Sequence, residues 1–252
     1  MKNKKILILG GTGFVGYELK KILKQNNTVI SVGAKGKNYF VLGKELGPNL
    51  KKEISSADLV IFCSWNFKAE ETRYVELHVN SVNKVIDICE KNKTSFLFIS
   101  TYLANKNSKS IYNKAKYYCE KTTVNRDHSV MKISVLKSDK SLPGNIYLKL
   151  SKMPSFFGYK LMLKPNNKKF IIHNPKEISN FFDTFKLNSV NIFYDQKKEK
   201  VSLSDVLESF STKNYKYIFV NWIYIYNLLK FLNSVGVRPR VNTDSILSIW
   251  GE

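Results

Sequence analysis

Cysteine is scarce in this sequence, with Cys63, Cys89 and Cys119 spread along 252 residues. Their odd number and wide spacing argue against a disulfide framework and against a cysteine metal site. Such usage is typical of reduced thiols. We therefore expect a cytoplasmic protein that uses no metal.

The sequence also lacks an uninterrupted apolar run of about 20 residues, the length that a transmembrane helix requires. Its longest apolar stretch, residues 217–232, is interrupted by Asn221, Asn227 and Lys230. Two interpretations stay open: an amphipathic element on a membrane surface, or a packed strand followed by a helix, which is favoured. Residues 1–5 include three lysines and precede an apolar run. No small-residue cleavage site follows this run, which indicates a first strand rather than a signal peptide.

Acidic residues are few: 20 Asp and Glu stand against 41 Lys and Arg, which gives a formal net charge of +21. A surplus of this size is typical of proteins that bind nucleic acids. Arginine, whose guanidinium makes bidentate contacts to phosphates and bases, is nevertheless rare, and the lysines are spread along the chain. We therefore do not expect a nucleic-acid partner. A basic surface does favour an anionic substrate such as a nucleotide diphosphate.

Glycine is sparse as well, with 12 residues, yet four of them lie within seven positions. The stretch Gly10-Gly11-Thr12-Gly13-Phe14-Val15-Gly16 follows the apolar run Ile6-Leu7-Ile8-Leu9 and precedes a helical pattern. In that context, G-x-G-x-x-G predicts a dinucleotide-binding turn, because glycines admit a pyrophosphate and the helix N-terminus supplies N–H groups. The predicted cofactor contacts of this turn are Gly10, Thr12, Gly13, Phe14, Val15 and Gly16.

The first half of the chain alternates short β-rich runs with longer helical patterns, which predicts a parallel sheet with crossover helices. The fold class is α/β, a Rossmann-type doubly wound sheet. We predict a dinucleotide-binding domain over residues 1–136 and a smaller substrate-binding region over residues 137–252, partly integrated with the first. Strands are predicted at 5–9, 28–32, 59–63, 95–100 and 130–136, and helices at 13–25, 70–92 and 110–125.

Tyr112 and Lys116 lie four residues apart in a predicted helix, so they share a face. An ammonium group beside a phenol favours phenolate, which predicts a tyrosine pKa lowered towards neutrality and a residue that transfers protons. The four-residue spacing alone is weak evidence for a catalytic pair, because other tyrosines and lysines of this lysine-rich chain have the same spacing. The position of the Tyr112/Lys116 pair strengthens the catalytic interpretation, because the preceding predicted strand ends near Thr101, at the sheet edge where ligands bind.

The glycine turn, the hydroxyl at a strand end and the Y-x-x-x-K pair, in this order, resemble the extended short-chain dehydrogenase/reductase family. The similarity is to its nucleotide-sugar epimerases, dehydratases and ketoreductases, and it covers most of residues 1–136. It implies that Thr101 orients the substrate oxygen, Tyr112 is the acid/base, and Lys116 binds the nicotinamide ribose. Further implied contacts are Asp58, Cys63, Ser64 and Asn80 to the cofactor and Ser100 to the substrate; a strand-entry role for Asp58 and a helix-surface role for Asn80 stay open.

Two departures from the family pattern refine this interpretation. No acidic residue ends the second predicted strand, where a carboxylate would hold the ribose of NAD. Lys35 and Lys37 follow there instead; they either meet a 2′-phosphate, which favours NADP, or are solvated. The Asp-Glu pair of the family's dehydratases is replaced by Tyr102-Leu103, which argues against dehydration.

The predicted function is therefore NADPH-dependent reduction of a 4-keto sugar carried on a nucleoside diphosphate. Two alternatives stay open: an NAD-dependent nucleotide-sugar 4-epimerase, and a non-catalytic protein that senses NADP or associates with nucleic acid. Arg238 and Arg240 are candidates for the substrate diphosphate, or else form an exposed basic turn. The resemblance also permits a homodimer through the helices beside the tyrosine.

Overall fold

The computed structural model describes residues 1–36, 39–67, 69–136, 138, 155–156, 159–163, 169–193, 201–202, 216–236 and 243–250. Its first half alternates strands and helices, as the sequence pattern predicts. The elements are β1 (Lys5–Leu9), α1 (Phe14–Leu23), β2 (Thr28–Val32), α2 (Pro48–Ser55), β3 (Leu59–Phe62), α3 (Tyr74–Lys91), β4 (Ser95–Thr101), α4 (Ile111–Asn125) and β5 (Ser129–Ile133).

Shorter strands and three helices make up the described part of the second half. They are β6 (Val135–Leu136), β7 (Ser155–Phe156), β8 (Tyr159–Leu163), β9 (Lys169–Phe170), β10 (Ile172–His173), α5 (Pro175–Thr184), β11 (Ile192–Phe193), β12 (Val201–Ser202), β13 (Lys216–Val220), α6 (Trp222–Ser234) and α7 (Thr243–Trp250). The stretch 217–232 is thus a strand followed by a helix.

Six strands form the main sheet in the order β11-β5-β4-β3-β1-β2, and every neighbouring pair is parallel. The predicted α/β fold is therefore confirmed. The predicted strand 130–136 is in fact divided at Ser134: β5 stays in the main sheet, whereas β6 pairs with β10. Helix α2 was not predicted, because only Leu50 and Ile54 mark its buried face.

The core has two layers, one on each side of the sheet. In β1, Leu7 and Leu9 face one layer while Ile6 and Ile8 face the other, as the two-residue period of a strand requires. The first layer packs against α2, α3 and α4, and the second against α1 and α5. Continuous apolar runs in the strands follow from this burial on both faces.

Residues beyond 136 join this architecture. Strand β11 extends the main sheet beside β5, and Ile178 and Phe182 of α5 lie in the same core layer as Leu19 of α1. The predicted division at residue 136 stays a prediction. Among the described residues, no helix combines the length and the apolar character that crossing a bilayer requires.

Candidate dinucleotide and active site

The glycine turn lies where the sheet reverses its strand order. Strand β1 has β2 on one side and β3 on the other, so a crevice opens at the carboxyl ends of β1 and β3. Gly10 follows β1 with φ +88°, and a Cβ added to it would lie 2.6 Å from the backbone nitrogen of Ser64, which follows β3. Glycine at position 10 is therefore required by the approach of these two segments at the crevice.

Gly16 and Gly13 differ in what they contact. A Cβ on Gly16 would lie 2.4 Å from the carbonyl oxygen of Gly10, so glycine here lets α1 pack directly against the turn. A Cβ on Gly13 would meet only that same oxygen, at 3.4 Å, and Gly13 is exposed. Packing within the protein leaves room for a side chain at Gly13. That space suits a ligand that approaches the backbone from outside.

The N–H groups of this turn are available to such a ligand. Among the described residues, the backbone N–H groups of Thr12, Phe14, Val15 and Gly16 have no hydrogen-bond acceptor. They surround the positive end of the α1 dipole, whose first turn has no acidic residue. The side chain of Phe14 is in the core, so only its N–H faces this position. The turn therefore fits the pyrophosphate of a dinucleotide.

The end of β2 borders the same crevice. A Cβ on Gly33 would lie 2.5 Å from Oγ1 of Thr12, so the glycine turn packs against the residue after β2. Residues 33–36 contain no carboxylate, and Lys35 is exposed among them. Lys37 lies outside the described residues. A cationic side chain is thus present after β2, where the sequence resemblance implies the ribose contact.

Lys116 is buried in an aromatic environment. It is 5% exposed, and its Nζ donates a hydrogen bond of 2.7 Å to the carbonyl oxygen of Ile99. The same Nζ lies 4.0 Å from the ring centroid of Trp65 and 4.9 Å from that of Phe98. Burial lowers the pKa of Lys116 to about 8. The Trp65 ring therefore covers this ammonium group.

Tyr112 also contacts the aromatic segment that follows β3. Its ring stacks on Phe67 at 5.7 Å between centroids and meets Trp65 edge-on at 5.3 Å. Nζ of Lys116 lies 5.9 Å from the centroid of the Tyr112 ring. Burial, followed by the charges of Tyr74 and Asp244, raises the pKa of the Tyr112 phenol above its ordinary value.

The predicted lowering of the tyrosine pKa by Lys116 is therefore wrong for this structure. Desolvation of the phenolate is the largest cause of the raised pKa, and the charges of Tyr74 and Asp244 act in the same direction. Tyr112 is consequently protonated across the physiological pH range. A protonated phenol can act as an acid, whereas it is a poor base.

The segment Cys63–Phe67 connects the glycine turn to the tyrosine. Ser64 packs on Gly10, and Trp65 and Phe67 contact Tyr112. Cys63 is half-buried, and burial raises the pKa of its thiol to about 12, so the thiol is neutral. Residues predicted on the cofactor side and on the catalytic side therefore lie against the same five-residue segment.

Helix α3 holds this segment in place. The Trp65 ring stacks on His78 at 3.9 Å, and its Nε1 donates to the Tyr74 hydroxyl at 2.8 Å. The amide of Asn66 donates to His78 Nε2 at 3.2 Å. His78 Nδ1, which lies 2.6 Å from the carbonyl oxygen of Tyr74, therefore carries the proton and donates to it. Burial lowers the pKa of His78 to about 4, so the ring is neutral.

This neutral histidine predicts a loss of stability in acid. The His78 pKa is about 4 in the folded chain and about 6.5 in the unfolded chain, so between these values the unfolded chain binds more protons. We expect the free energy of unfolding to fall by roughly 2–3 kcal/mol from this group between pH 7 and pH 4.5. Urea denaturation at several pH values measures this slope. His78→Asn should flatten it, and an unchanged slope in that variant would contradict the assignment.

Asp244 of α7 caps the tyrosine helix from a distant part of the chain. Its carboxylate accepts hydrogen bonds from the Ile111 amide at 2.9 Å, the Ser110 hydroxyl at 3.1 Å and the Tyr112 amide at 3.3 Å. These are N-terminal groups of α4 that the helix itself cannot satisfy. The C-terminal helix therefore fixes the start of the helix that carries Tyr112 and Lys116.

Thr101 and Ser100 at the end of β4 have different environments. Thr101 is half-buried and its Oγ1 accepts from the amide of Leu103 at 3.4 Å. Ser100 is buried and donates to Glu120 of α4 at 3.0 Å, and Glu120 also pairs with Lys132 at 2.7 Å. Ser100 is thus engaged in the interior, which corrects its assignment to the substrate site. Thr101 as a substrate contact stays a prediction.

Two predicted cofactor contacts lie elsewhere. Asp58 is at the amino end of β3, opposite the glycine turn, and accepts from the Lys5 amide at 2.7 Å with Lys4 Nζ at 3.6 Å. It is a strand-entry residue, as its alternative interpretation states. Asn80 is on the exposed face of α3 and donates to Glu76 at 3.5 Å. Asn80 likewise has the helix-surface position of its alternative interpretation.

Two further expectations concern the substrate diphosphate and a metal ion. Arg238 and Arg240 lie outside the described residues, so their roles stay predictions. Within the described ranges, no group of three His, Cys, Asp or Glu side chains is arranged to hold a metal ion.

Sequence reasoning missed the aromatic segment and its supports. The rings of Trp65 and Phe67, which follow β3 by three and five positions, were the available signal, because aromatic side chains bury large areas and dominate packing. His78 and Tyr74 follow from the helical period of α3, on its buried face. No sequence pattern could predict that Asp244 contacts Tyr112, because 132 residues separate the two.

No protein-family profile and no curated protein matches this sequence. Solved structures do match. The ADP-L-glycero-D-manno-heptose-6-epimerase of Helicobacter pylori aligns over 98% of this chain and 94% of that chain, with 11% identity and a TM-score of 0.66. A dTDP-4-dehydrorhamnose reductase of Bacillus anthracis, in complex with NADP, aligns over 98% of each chain, with 11% identity and a TM-score of 0.65.

A third match is the UDP-N-acetylglucosamine 4-epimerase of Methanobrevibacter ruminantium, solved with UDP-N-acetylmuramic acid. It aligns over 87% of this chain and 86% of that chain, with 16% identity and a TM-score of 0.60. At such identities the likeness concerns the backbone arrangement. The chain has the fold of these epimerases and this reductase, as its sequence resemblance implies.

Proposed function

We propose that this protein is an NADPH-dependent reductase of a 4-keto sugar linked to a nucleoside diphosphate. The observation that carries the proposal is the segment Cys63–Phe67, which touches the glycine turn at Ser64 and Tyr112 at Trp65 and Phe67. This segment therefore joins the residues that would hold a dinucleotide to the tyrosine that would act on the substrate. The fold shared with a dTDP-4-dehydrorhamnose reductase supports the substrate class.

The chemistry needs a proton donor beside the ketone. When bound, NADPH would be the source of the hydride for the carbonyl carbon of the sugar. Tyr112, whose pKa is raised, is protonated and gives its phenolic proton to the developing alkoxide. The Thr101 hydroxyl orients that oxygen. The Lys116 ammonium then balances the phenolate until a proton from solvent restores the phenol.

The loop after β2 supports NADPH rather than NADH. It contains no carboxylate over residues 33–36, and Lys35 is exposed there. We expect the double variant Lys35→Ala/Lys37→Ala to weaken NADPH binding about tenfold relative to NADH, because the 2′-phosphate loses its cations. Titration of both nucleotides measures this ratio. Lys51→Ala/Lys52→Ala, on the exposed face of α2, is the matched control, and an unaltered ratio in the first variant would refute the 2′-phosphate role.

A 4-epimerase is the second candidate, and the UDP-N-acetylglucosamine 4-epimerase match favours it. The two reactions differ in net redox change. A reductase oxidises one NADPH for each 4-keto sugar consumed, whereas an epimerase converts sugars without net oxidation and returns the hydride. Incubation of the purified protein with nucleotide sugars and NADPH, followed at 340 nm and by chromatography, distinguishes them. Nucleotide binding without either conversion would instead assign a non-catalytic role.

A further inference from the structure

Helix α6 presents an apolar stripe to solvent. Tyr224 is 70% exposed, Leu228 52%, Phe231 62% and Val235, just beyond the helix end, 55%. They are spaced by four, three and four residues, which places them along one side of the helix. Leu229 on the opposite side is buried, so α6 packs on the protein with its other face.

The strand that directly precedes α6 also exposes apolar side chains, one on each of its faces. Ile218 and Phe219 of β13, which directly precede α6, are each about half exposed. Exposed apolar side chains that occur singly need no explanation, whereas a group concentrated on one element marks an interaction surface. The aromatic rings among them are of the kind that favours a boundary between water and an apolar phase.

The charge of the surrounding sequence indicates what this surface meets. Residues 140–176 and 209–243 contain no Asp or Glu, and they supply strands β7, β8 and β13 and helix α6. Strands β7, β8 and β13 form one sheet. Within the described residues of these elements, the basic ones are Lys160 of β8, Lys216 of β13 and Lys230 of α6, and β8 pairs with β13.

We propose that α6 lies on the surface of an anionic phospholipid bilayer, with Tyr224, Leu228, Phe231 and Val235 inserted among the lipid chains. At 13 residues, the helix is about 20 Å long and lies in the plane of the interface. The lysines of α6 and of the strands β8 and β13 add electrostatic attraction to anionic headgroups. A second copy of this chain fits less well, because it would bring an equally basic segment to the contact.

Vesicle flotation with the full-length protein tests this proposal. We expect binding to vesicles of 70% phosphatidylcholine and 30% phosphatidylglycerol, weaker binding in 500 mM salt, and at least tenfold less binding to pure phosphatidylcholine. Leu228→Gln/Phe231→Gln should reduce binding to the anionic vesicles at least tenfold. Both side chains are exposed, so the fold is retained. The matched control is Ile192→Gln, an apolar residue of β11 that is 59% exposed and should bind as the parent does.

Three results would overturn the proposal. The first is equal binding to both vesicle types, and the second is unchanged binding by Leu228→Gln/Phe231→Gln. The third is no vesicle binding together with a dimer in light scattering that this double variant dissociates, which would assign the stripe to a second copy. Reductase activity measured in parallel, without vesicles, should be the same in parent and variant. The membrane role and the proposed reaction therefore stand or fall separately.

Discussion

Tyr112→Phe should lower kcat of the proposed reductase about a thousandfold, because a positioned general acid contributes on the order of 10²–10⁴ to the rate. The change removes one oxygen and keeps the ring that packs on Phe67 and Trp65. Among the described residues, the Tyr112 hydroxyl makes no hydrogen bond, so we expect the stability to change little. Initial rates of NADPH oxidation with a nucleoside-diphosphate 4-keto sugar measure the effect.

Tyr118→Phe is the control for this variant. Tyr118 is on the same helix and is 44% exposed, so its hydroxyl should contribute nothing to turnover. NADPH affinity should stay within about twofold of the parent in both variants, because the phenol acts on the substrate oxygen. Turnover by Tyr112→Phe at the parent rate would exclude the proposed chemistry.

Gly13→Ala should weaken NADPH binding about a hundredfold, because a methyl group would occupy the space where the pyrophosphate approaches the backbone. The folded protein itself accommodates this methyl group, since its nearest heavy atom would be the Gly10 oxygen at 3.4 Å. Gly13 is the N-cap of α1 with φ −78°, which alanine adopts without strain. We therefore expect a loss of stability of about 1 kcal/mol or less. Calorimetric titration and thermal unfolding measure the two quantities.

Gly16→Ala separates binding from folding. Its Cβ would lie 2.4 Å from the Gly10 oxygen and 2.7 Å from the Gly11 Cα, both backbone atoms that cannot rotate away. The variant should lose about 1–3 kcal/mol of stability through this overpacking. If Gly13→Ala instead binds NADPH as tightly as the parent does, the pyrophosphate site is not at this turn.

The sheet and the glycine turn were predictable because their signals are local. Runs such as Ile6-Leu7-Ile8-Leu9 report burial on both faces, and β1 and β2 have the predicted bounds. The same reasoning failed at α2, where two buried residues in eight leave little pattern. Asp58 was misassigned because a polar residue at a strand end gives no sign of the edge at which the ligand binds.

The charge states at the site were not predictable from spacing. The four-residue separation of Tyr112 and Lys116 does place both on one helix face. Their pKa values, however, depend on how much water reaches them, and the covering residue Trp65 comes from another segment. The sign of the tyrosine shift therefore depended on packing that no short motif encodes.

By itself, the sequence determined the parallel α/β sheet, the glycine turn and the shared helix face of Tyr112 and Lys116. These features depend on side-chain periodicity and backbone freedom over a few neighbouring residues. Only the tertiary structure decided that Trp65 covers Lys116, that Asp244 caps the tyrosine helix, and that one side of α6 is left exposed. The physical reason is that desolvation and long-range hydrogen bonds arise only when residues distant in sequence are brought together.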